Sequence, residues 1–445
     1  MVTRLPAPSL SLPALRGRSL ALWLLGALIL VSLLARLAWL AEPCRSPCRS
    51  PTDHILVFDE AYYVNAARVI VGIHPPAGAP YANAPLGTDP NSEHPPLAKL
   101  LIAGGIELFG DGPFAWRLPS VLLGTVAILG MFFLVRAAGG GPWLGLGAAA
   151  LMAADNLLLV HGRIGTLDIS AVAAMIWGAA LYVRSRPLWA GVVIGIGACA
   201  KEVTPYVLLV LVVLELFRWW PARSEGWRRV GRVASCAAVA AVTFFVVLSL
   251  LGRIAPDYSP QTGKLVPNGA FGEASHILNY AEHQTSPHGP KGIASYPWDW
   301  LVDYKPITYL QINPARPSTG LEQVEPAVHF LGVISPPILL LALPGVLYAA
   351  AGAFPGRFRR VRRSTDEVGL VGLAWFLGTY LPFVALSLIE SRTSYLYYMV
   401  IVMPGIYLVV ADLVARIGPR RKVVWVWMAC VVAAAVVLYP FTPLP

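Results

Sequence analysis

The sequence predicts an all-α membrane protein that crosses the bilayer many times, from its composition, its apolar runs and the placement of its basic residues. The chain has 445 residues, of which 56% are hydrophobic and only 13% are charged, and its mean hydropathy is +0.63. Soluble domains carry about 25% charged residues. Apolar runs of about 18 residues or more recur along the whole chain, and each can cross about 30 Å of hydrocarbon as a helix.

About eleven transmembrane helices are predicted from these runs. The first run is longer than the apolar core of a signal peptide and has no clear small-residue cleavage site, so we expect an uncleaved span. The segment 97–110 is shorter and contains Lys99 and Glu107, so we predict a re-entrant or surface-lying helix at the outer interface. The predicted spans are 19–41, 114–136, 143–160, 166–184, 187–201, 203–219, 232–251, 327–353, 368–388, 395–415 and 423–440.

The basic residues predict the orientation. The net charge of +10 would suit a nucleic-acid partner, but Lys and Arg cluster in short loops between spans, which marks the cytoplasmic side and also suits anionic lipid headgroups. We therefore predict a multi-pass cell-membrane (inner or plasma membrane) protein with a cytoplasmic N-terminus, the bilayer as partner and no nucleic acid. The clusters are Arg4/Arg16/Arg18, Arg136, Arg184/Arg186, Arg218/Arg223/Arg228/Arg229/Arg232, Arg357/Arg359/Arg360/Arg362/Arg363 and Arg416/Arg420/Arg421/Lys422.

This topology gives two long outer loops, 42–113 and 252–326. We predict an N-terminal transmembrane module, 1–353, that carries both loops, followed by the C-terminal helices of 354–445. The Arg-rich stretch 354–367 is interpreted as a cytoplasmic hinge between them. The sequence predicts no particular oligomeric state.

The residues that could do chemistry fall on the outer face. All eight histidines lie there in this topology, together with the acidic and basic residues described below. The chain has no Walker-type or Rossmann glycine motif, and ATP or nucleotide sugars are not expected outside the cell. Any reaction is therefore predicted to be extracytoplasmic, with a substrate that brings its own energy.

The acidic pair Asp59-Glu60 follows the first span, in the stretch Phe-Asp-Glu-Ala-Tyr-Tyr. Ionised carboxylates are costly near hydrocarbon and so indicate function. The pair is at the start of a helix-like stretch, so helix capping is the structural alternative. The functional interpretation is a general base that takes a proton from an acceptor hydroxyl.

Two basic segments follow. In His94-Pro95-Pro96-Leu97-Ala98-Lys99, Pro96 can begin a helix, and Lys99 would lie one turn further, within reach of a phosphate. The alternative is a lysine that only extends its ammonium group to the interface. Arg117 stands at the outer start of the second span, where its guanidinium suits a bidentate phosphate contact.

Further charged residues surround the next two outer turns. Asp155 lies in the outer half of the third span and needs a partner there. Arg163 and Asp168 follow in a short hairpin, where capping is the alternative for Asp168. Lys201 and Glu202 end the fifth span, and a local ion pair is the alternative for them.

The second outer loop carries His276, His283 and His288 and then the stretch Ser295-Tyr-Pro-Trp298-Asp-Trp300. The spacing of the histidines is not diagnostic of a metal site. The aromatic residues fit an interfacial belt, and they could also stack on a sugar or a peptide.

The cysteines give little functional signal. Cys44 and Cys48 lie on the outer side, where a local disulfide is one interpretation and a metal site a weaker one. Cys199, Cys236 and Cys430 lie in apolar runs and are interpreted as packing residues.

Taken in order, these motifs resemble the protein O-mannosyltransferase family (dolichyl- or polyprenyl-phosphate-mannose-protein mannosyltransferases) of the GT-C superfamily of membrane glycosyltransferases. The Phe-Asp-Glu stretch at 58–60 is similar to the family's first-loop acidic motif, and His94 to Lys99 to its His-Pro-Pro-x-x-Lys. Arg117-Leu-Pro-Ser resembles its entry to the second span. The 155–168 hairpin, Cys199-Ala-Lys201 and the 295–300 stretch resemble later motifs. The resemblance is strong over about 55–210 and looser beyond.

The resemblance implies a GT-C bundle of about eleven spans with interfacial helices in the first outer loop. It implies that Asp59 is the base, that Glu60 is its neighbour and that Asp168 is a second acidic position. Arg117 would hold the carrier phosphate, helped by a basic set: Lys99, His94 and Arg163. Contacts to sugar or acceptor are assigned to Asp155, Lys201, His283, His288, Trp298 and Trp300.

The implied activity is transfer of a sugar, mannose by resemblance, from a polyprenyl phosphate to Ser or Thr of exported proteins, with inversion. One alternative keeps the donor and changes the acceptor to a lipid or cell-wall glycan; another is a transporter, which should show internal repeats or broken midplane helices. No metal site or cofactor is assigned, and a divalent metal ion stays an alternative. Two departures from the family are Glu202, where it has an aromatic residue, and a second outer loop too short for the large domain of eukaryotic members.

Overall fold

The computed structural model describes residues 12–222, 226–312, 324–325, 327–353, 367–418 and 421–442. Most of these residues are helical. The predicted hinge at 354–367 lies almost wholly outside the described residues. The α-helices are α1 Leu12–Leu37, α2 Glu60–Ile70, α3 Leu97–Phe109, α4 Pro113–Ala137, α5 Pro142–Ala154, α6 Asn156–His161, α7 Asp168–Val183, α8 Pro187–Ala198, α9 Tyr206–Ala222, α10 Gly226–Ile254, α11 Gly269–His283, α12 Pro336–Leu340, α13 Ala342–Ala353, α14 Val368–Ile389, α15 Met399–Ile417 and α16 Lys422–Val437.

Short strands decorate the outer loops. They pair in twos, β1 with β5, β2 with β3 and β4 with β6, all antiparallel. The β1–β5 pair joins the first outer loop to the second, because Cys44 is the register partner of Glu325. The strands are β1 Cys44–Arg45, β2 Tyr258–Ser259, β3 Lys264–Leu265, β4 Ile307–Ile312, β5 Val324–Glu325 and β6 Val328–Gly332.

The multi-pass membrane architecture is confirmed in its coarse form. Within the described ranges, six helical segments are long and apolar enough to cross a membrane, and four more apolar helices are shorter. The number of about eleven spans stays a prediction. The six are Ser19–Leu37, Pro113–Ala137, Gly226–Ile254, Pro336–Ala353, Val368–Ile389 and Leu396–Ile417; the four are Pro142–Ala154, Asp168–Val183, Pro187–Ala198 and Lys422–Val437.

Two predicted spans differ from the structure. The predicted span 327–353 begins as strand β6, which pairs with β4, and its helical part starts only at Pro336 after the loop. The predicted span 143–160 is broken at Asp155, which has extended backbone angles between α5 and α6. In both places local hydropathy continues across a change of backbone that tertiary contacts impose.

Asp155 causes that break by tying distant segments together. Its carboxylate accepts a hydrogen bond from the Ser335 backbone N–H at 2.8 Å and one from the Tyr407 hydroxyl. The next residue, Asn156, donates to the Leu331 carbonyl at 2.7 Å. The membrane-depth carboxylate therefore has the partners it needs, and these bonds fix the β4–β6 hairpin over α6.

Glycines let the helices approach closely, as is common in membrane bundles. A Cβ added to Gly372 of α14 would lie 2.8 Å from the Cβ of Leu408 on α15. A Cβ added to Gly195 of α8 would lie 2.5 Å from the backbone oxygen of Ala240 on α10. Substitution at either position would push the paired helices apart.

One apolar cluster runs through the bundle and includes residues from α4 to α7 and from α13 to α15. The C-terminal helices therefore pack on the N-terminal ones; the division at 353/354 stays a prediction. The two ends of the bundle also meet, because the Tyr439 hydroxyl donates to the Ala35 carbonyl at 2.8 Å. The loop helices α2 and α3 pack against the outer start of α4, and this packing positions the site described next.

Candidate active site

Asp59 stands on a strained turn. The residue before it, Phe58, has a φ of +55°, a left-handed conformation that costs a bulky residue about 1–3 kcal/mol. Aromatic contacts hold the turn: the Phe58 ring stacks on Tyr309 at a centroid distance of 4.2 Å and meets Tyr397 edge-on at 5.6 Å. Strain of this kind is found at functional sites, where the surrounding structure maintains it.

The Asp59 side chain is held differently from an ordinary helix cap. Asp59 is the N-cap residue of α2, but its side chain makes no capping hydrogen bond, so the capping alternative does not describe it. Among the described residues, none forms a hydrogen bond or ion pair with this carboxylate. Burial raises the pKa of Asp59 to about 6, with Lys201 acting in the opposite direction and Asp168 adding to the rise. A carboxylate with this pKa is still ionised at pH 7 and is a better proton acceptor than an ordinary aspartate.

Glu60, the next residue, has the opposite surroundings. It is completely buried and both its oxygens are occupied. Oε1 accepts from Arg117 Nε at 2.8 Å and from the Gly165 backbone N–H at 2.7 Å. Oε2 accepts from Arg117 Nη2 at 2.9 Å and from the Val57 backbone N–H at 2.7 Å. Glu60 thus joins the first outer loop, α4 and the 162–167 turn.

Arg117 has no free N–H group. Besides its two bonds to Glu60, it donates from Nη1 to the carbonyls of Leu40 and Glu42 at 2.7 and 2.8 Å, and from Nη2 to that of Ile55 at 3.1 Å. A guanidinium has five N–H donors, and all five are used. A direct phosphate contact would require this buried pair to open, which is costly.

The second acidic position, Asp168, lies in a polar chain beside the turn. Lys201 Nζ donates to Asp168 Oδ1, and His161 Nδ1 lies 3.5 Å from Asp168 Oδ2. His161 Nε2 is 2.9 Å from the Tyr309 hydroxyl, and Lys201 Nζ lies 5.8 Å above the Tyr397 ring centre. All five side chains are buried or nearly so, which makes their positions rigid.

This polar chain reaches the turn that carries Asp59, because Tyr309 contacts both His161 and Phe58. The charges of Lys201, Asp168 and His161 all act on its carboxyl group, and the rings of Tyr309 and Tyr397 enclose the turn that carries it. Sequence reasoning named His161 only as an outer-face residue and missed both tyrosines. Tyr397 follows Tyr395 in Ser-Tyr-Leu-Tyr-Tyr, and that concentration of tyrosines was the available signal.

The basic residues near Asp59 form two groups: those whose N–H donors are bonded to protein groups, and those with donors still available to a ligand. Lys99 is fully buried, pairs with Asp89 at 2.6 Å, and donates to the carbonyls of Asn91 and His94 at 2.5 and 2.7 Å. Arg163 donates to the Ala38 carbonyl at 2.8 Å.

Arg163 also contacts two aromatic residues that follow α16. It is 3.1 Å from the Tyr439 hydroxyl and lies over the Phe441 ring, 4.8 Å from its centre. Its guanidinium is 1% exposed, so like Lys99 it is taken up by the protein in this structure.

His94 is open on one side. Its Nδ1 lies 2.9 Å from Glu202 Oε2, and its ring packs edge-on to Tyr63 with 6.0 Å between centroids. Glu202, one of the two departures from the family, therefore holds the His94 ring through its carboxylate. The structural alternative, a local ion pair between Glu202 and Lys201, is not formed, because the Lys201 ammonium group bonds Asp168.

Arg392 is a further basic residue, in the loop between α14 and α15. It donates to the Ala281 carbonyl and forms no ion pair with any carboxylate in the described ranges. It lies in a polar pocket between the two outer segments 286–296 and 387–394, lined with hydroxyl groups. Tyr395 connects this pocket to the Asp59 turn through stacked rings: it follows Ser394 of the pocket and stacks on Tyr397 at 5.4 Å, and Tyr397 contacts Phe58.

The remaining predicted residues of the second outer loop do not converge. Trp300 is buried and donates to Ser295 Oγ at 3.0 Å, whereas Trp298 is 43% exposed and stacks on Tyr296 at 4.6 Å. His283 and His288 are exposed; His283 Nδ1 lies 2.7 Å from its own helix at the Asn279 carbonyl.

Cys44 and Cys48 form a disulfide in the first outer loop. Together with His54 they are the group of three metal-ligating side chains that lies close together in the described part of the chain. Zinc binds thiolates, and the disulfide-bonded sulfurs are not thiolates.

Comparison with solved structures shows which fold this chain has. The chain superposes on the S. cerevisiae Pmt1–Pmt2 protein O-mannosyltransferase complex with a TM-score of 0.66 at 12% identity, covering 94% of this chain and 89% of that one. It superposes on the Archaeoglobus fulgidus oligosaccharyltransferase with a TM-score of 0.55 at 14% identity, covering 94% and 55%. The fold is that of the GT-C membrane glycosyltransferases.

The relatives found by sequence indicate which glycosyltransferases this chain resembles. Residues 93–251 match the family described as dolichyl-phosphate-mannose-protein mannosyltransferase. The polyprenol-phosphate-mannose–protein mannosyltransferase of Corynebacterium glutamicum is 26% identical, covering 82% of this chain and 78% of that protein. The enzyme of the same name from Mycobacterium tuberculosis is 25% identical, covering 87% and 83%. The chain is a glycosyltransferase, and its predicted resemblance to the protein O-mannosyltransferases is confirmed.

Proposed function

We propose that this protein transfers mannose from a polyprenyl phosphate to Ser or Thr hydroxyls of exported proteins, at the extracytoplasmic face of the cell membrane. The observation that carries the proposal is the Asp59 carboxylate, which no described residue bonds and which is held on a strained turn beside the Lys201–Asp168–His161 chain. The relatives named above act with polyprenol-phosphate mannose on protein, which supports the donor and the acceptor.

Asp59 is the proposed general base. As the acceptor oxygen attacks the anomeric carbon, its proton passes to the Asp59 carboxylate. The bond between that carbon and the phosphate oxygen breaks, and the polyprenyl phosphate leaves with the electron pair. Attack from the side opposite the phosphate inverts the configuration, so the acceptor oxygen must lie between Asp59 and the sugar.

The leaving phosphate needs positive charge near it. Lys201, His94 and Arg392 are the basic groups around the site that the protein has not fully occupied, and we assign the phosphate to them. Arg117, Lys99 and Arg163 are better described as positioning residues, because their donors are taken up by protein groups. Glu60 belongs with them, since its pair with Arg117 fixes the turn that carries Asp59.

The acceptor side is proposed at the second outer loop. The stacked pair Tyr296–Trp298 is exposed and offers a flat aromatic surface, which suits a peptide backbone or a sugar face. That same surface is the observation in favour of the second candidate, a lipid or cell-wall glycan as acceptor. We do not retain the transporter hypothesis, because the chain is a glycosyltransferase.

The test uses membranes that contain the protein, with labelled polyprenyl-phosphate mannose and a Ser/Thr-rich peptide. We expect label in the peptide with the wild type and none above background with Asp59→Asn. Glu107→Gln is the matched control, because Glu107 is an exposed carboxylate of the same outer loop, and it should label normally. Equal labelling by Asp59→Asn would remove Asp59 as the base. Label that appears in glycan or lipid instead of peptide would move the acceptor to the second candidate.

A further inference from the structure

A cavity lined by arginines lies at the end of the helix bundle that faces away from the candidate active site. Its volume is about 300 Å³, at the lower end of the range for ligand pockets. Residues of α7, α9, α10 and α14 line it. We call this cavity the basic pocket, after the side chains that dominate its wall: Arg218, Arg229 and Arg232.

Helix α7 runs between the candidate active site and the basic pocket. It begins at Asp168, in the polar chain near Asp59, and ends at Val183, which lines the pocket. The helix has 16 residues and is therefore about 24 Å long. The hydrocarbon core of a bilayer is about 30 Å thick, so the pocket lies near the opposite membrane surface. In the predicted topology that surface is the cytoplasmic one.

One of the three arginines belongs to the wall of the pocket. Arg218 on α9 donates from Nη1 to Glu215 at 2.8 Å and from Nε to Glu367 at 3.1 Å. Glu367 is the N-cap residue of α14. These bonds therefore join α9 to the start of α14 and leave the other two arginines to face a ligand.

Arg229 and Arg232 keep donors that the described residues do not use. Arg229 donates from Nη1 to Glu215 at 2.8 Å, and its buried Nε has no acceptor in the described structure. Arg232 donates from Nη2 to the Tyr182 carbonyl at 3.1 Å, and its Nη1 is 3.8 Å from Glu215, beyond hydrogen-bond distance. Each guanidinium has five N–H donors, and the two side chains are 22% and 30% exposed. A ligand can therefore reach them.

The charges around the pocket favour an anion. Three guanidinium groups share two carboxylates, those of Glu215 and Glu367, which leaves one positive charge in excess. Arg184 and Arg186 are exposed on either side of Ser185, which lines the pocket. Arginine is suited to phosphate, because its planar fork can bind two oxygens at once.

The surroundings of the pocket are those of a lipid headgroup. Trp219 follows Arg218 in α9, and Trp227 precedes Arg229 in α10 by two residues; both indole rings are exposed. Tryptophan is enriched at the headgroup level of membranes. Exposed apolar side chains continue along the same two helices, at Leu216 and Val230. A ligand in this position can place its charge in the pocket and its hydrocarbon against these helices.

We propose that the basic pocket binds the phosphate group of an anionic phospholipid, with Arg229 and Arg232 as its donors. The phosphodiester of such a lipid carries one negative charge, which matches the positive excess. Basic pockets between membrane helices are typical binding sites for anionic lipid headgroups. The lipid belongs to the leaflet opposite the candidate active site, so it is neither the sugar donor nor the acceptor.

A bound phosphate would connect helices that lead to the candidate active site. It would hold α10 to the pair that Arg218 and Glu367 form between α9 and α14. Helix α9 begins at Tyr206, shortly after Lys201 of the polar chain. We therefore expect the lipid to stabilise the bundle, whichever sugar or acceptor the protein uses.

The test measures lipid binding to the purified full-length protein in a non-ionic detergent. Phosphatidylglycerol should raise the apparent unfolding temperature by about 2 °C or more, whereas zwitterionic phosphatidylcholine should not. Titration followed by native mass spectrometry gives the affinity. Arg229→Gln and, separately, Arg232→Gln should weaken phosphatidylglycerol binding roughly ten-fold, because each removes hydrogen bonds to a charged group. Arg232→Lys retains the charge near Glu215 and should weaken binding less than Arg232→Gln.

Arg253→Gln is the matched control, because Arg253 is an exposed arginine near the other end of α10. It should bind phosphatidylglycerol as the wild type does. The proposal is overturned if phosphatidylglycerol causes no shift, or if both Arg→Gln variants retain wild-type affinity. An equal shift with soluble glycerol 3-phosphate at the same concentration would also overturn it, since the ligand would then be a free phosphate compound and not a lipid.

Discussion

Asp59 and Glu60 are neighbours in the chain and opposites in their surroundings. Glu60 is completely buried, with four donors on its two oxygens. Asp59 is partly buried, and no described residue bonds its carboxylate. The difference separates two tasks: Glu60 builds the turn, and Asp59 is kept available on it. The charge that stabilises the fold and the charge proposed for catalysis are one peptide bond apart.

The largest effect is expected from Asp59→Asn. Loss of a general base should lower kcat by about 10²–10⁴-fold. The same change should raise the unfolding temperature at pH 7, because the folded protein holds the Asp59 proton more tightly than the unfolded chain and therefore loses stability as pH rises through about 6. Kinetics and thermal unfolding of one preparation measure both. A variant that is inactive and less stable would place Asp59 with Glu60 as a structural residue.

Glu60→Gln tests the other half of the comparison. It leaves Arg117 buried without a counter-charge, which should cost about 3–5 kcal/mol of stability. Activity should fall together with the amount of folded protein, measured by protease resistance at increasing temperature. If folded Glu60→Gln protein were as stable as the wild type but inactive, Glu60 would have a direct part in the reaction.

The pH profile sharpens the assignment of the base. The Asp59 carboxylate must be ionised to accept a proton, so kcat/KM should fall about ten-fold per pH unit below about 6 and level off above it. A donor-saturated rate series from pH 5 to 8 measures this. Glu107→Gln should give the same profile, and an inflection far from 6 would point to another group.

The smallest effect is expected from Tyr309→Phe. The change removes the hydroxyl 2.9 Å from His161 Nε2 but keeps the ring under Phe58. One neutral hydrogen bond is worth about 0.5–1.5 kcal/mol, so we expect kcat to fall roughly 2- to 10-fold with folding unchanged. Tyr309→Ala should do more, because the strained Phe58 turn loses its support. Equal effects of the two changes would mean that the ring contributes nothing.

The sequence predicts the surroundings of the site better than its contacts. The helical membrane class follows from composition, and the resemblance to O-mannosyltransferases follows from ordered motifs. The partner of Arg117 could not be predicted, because Glu60 is 57 residues away and the pair crosses two elements. A guanidinium near a membrane surface suits a phosphate and a carboxylate equally well by residue type.

Two further differences between the sequence pattern and the structure have the same physical cause. The strand β6 was included in the predicted span 327–353, because Val328 to Gly332 are apolar enough to appear continuous with the helix that begins at Pro336. The phosphate contact of Lys99 stays a prediction; in this structure its ammonium group pairs with Asp89, ten residues earlier in the loop. Hydropathy and charge limit the environments in which a segment can lie. Its backbone conformation and side-chain contacts are decided by partners that are distant in the sequence.

The hydrogen bond from Tyr439 to the Ala35 carbonyl joins residues 404 positions apart. During synthesis, the first membrane helix must therefore wait for almost the entire chain before it can make its final contacts. The contacts around Asp59 also form late in synthesis, since Phe58 packs against the ring of Tyr397. A chain truncated before its last helices would therefore carry Asp59 in its first outer loop but lack the residues that complete the site around it.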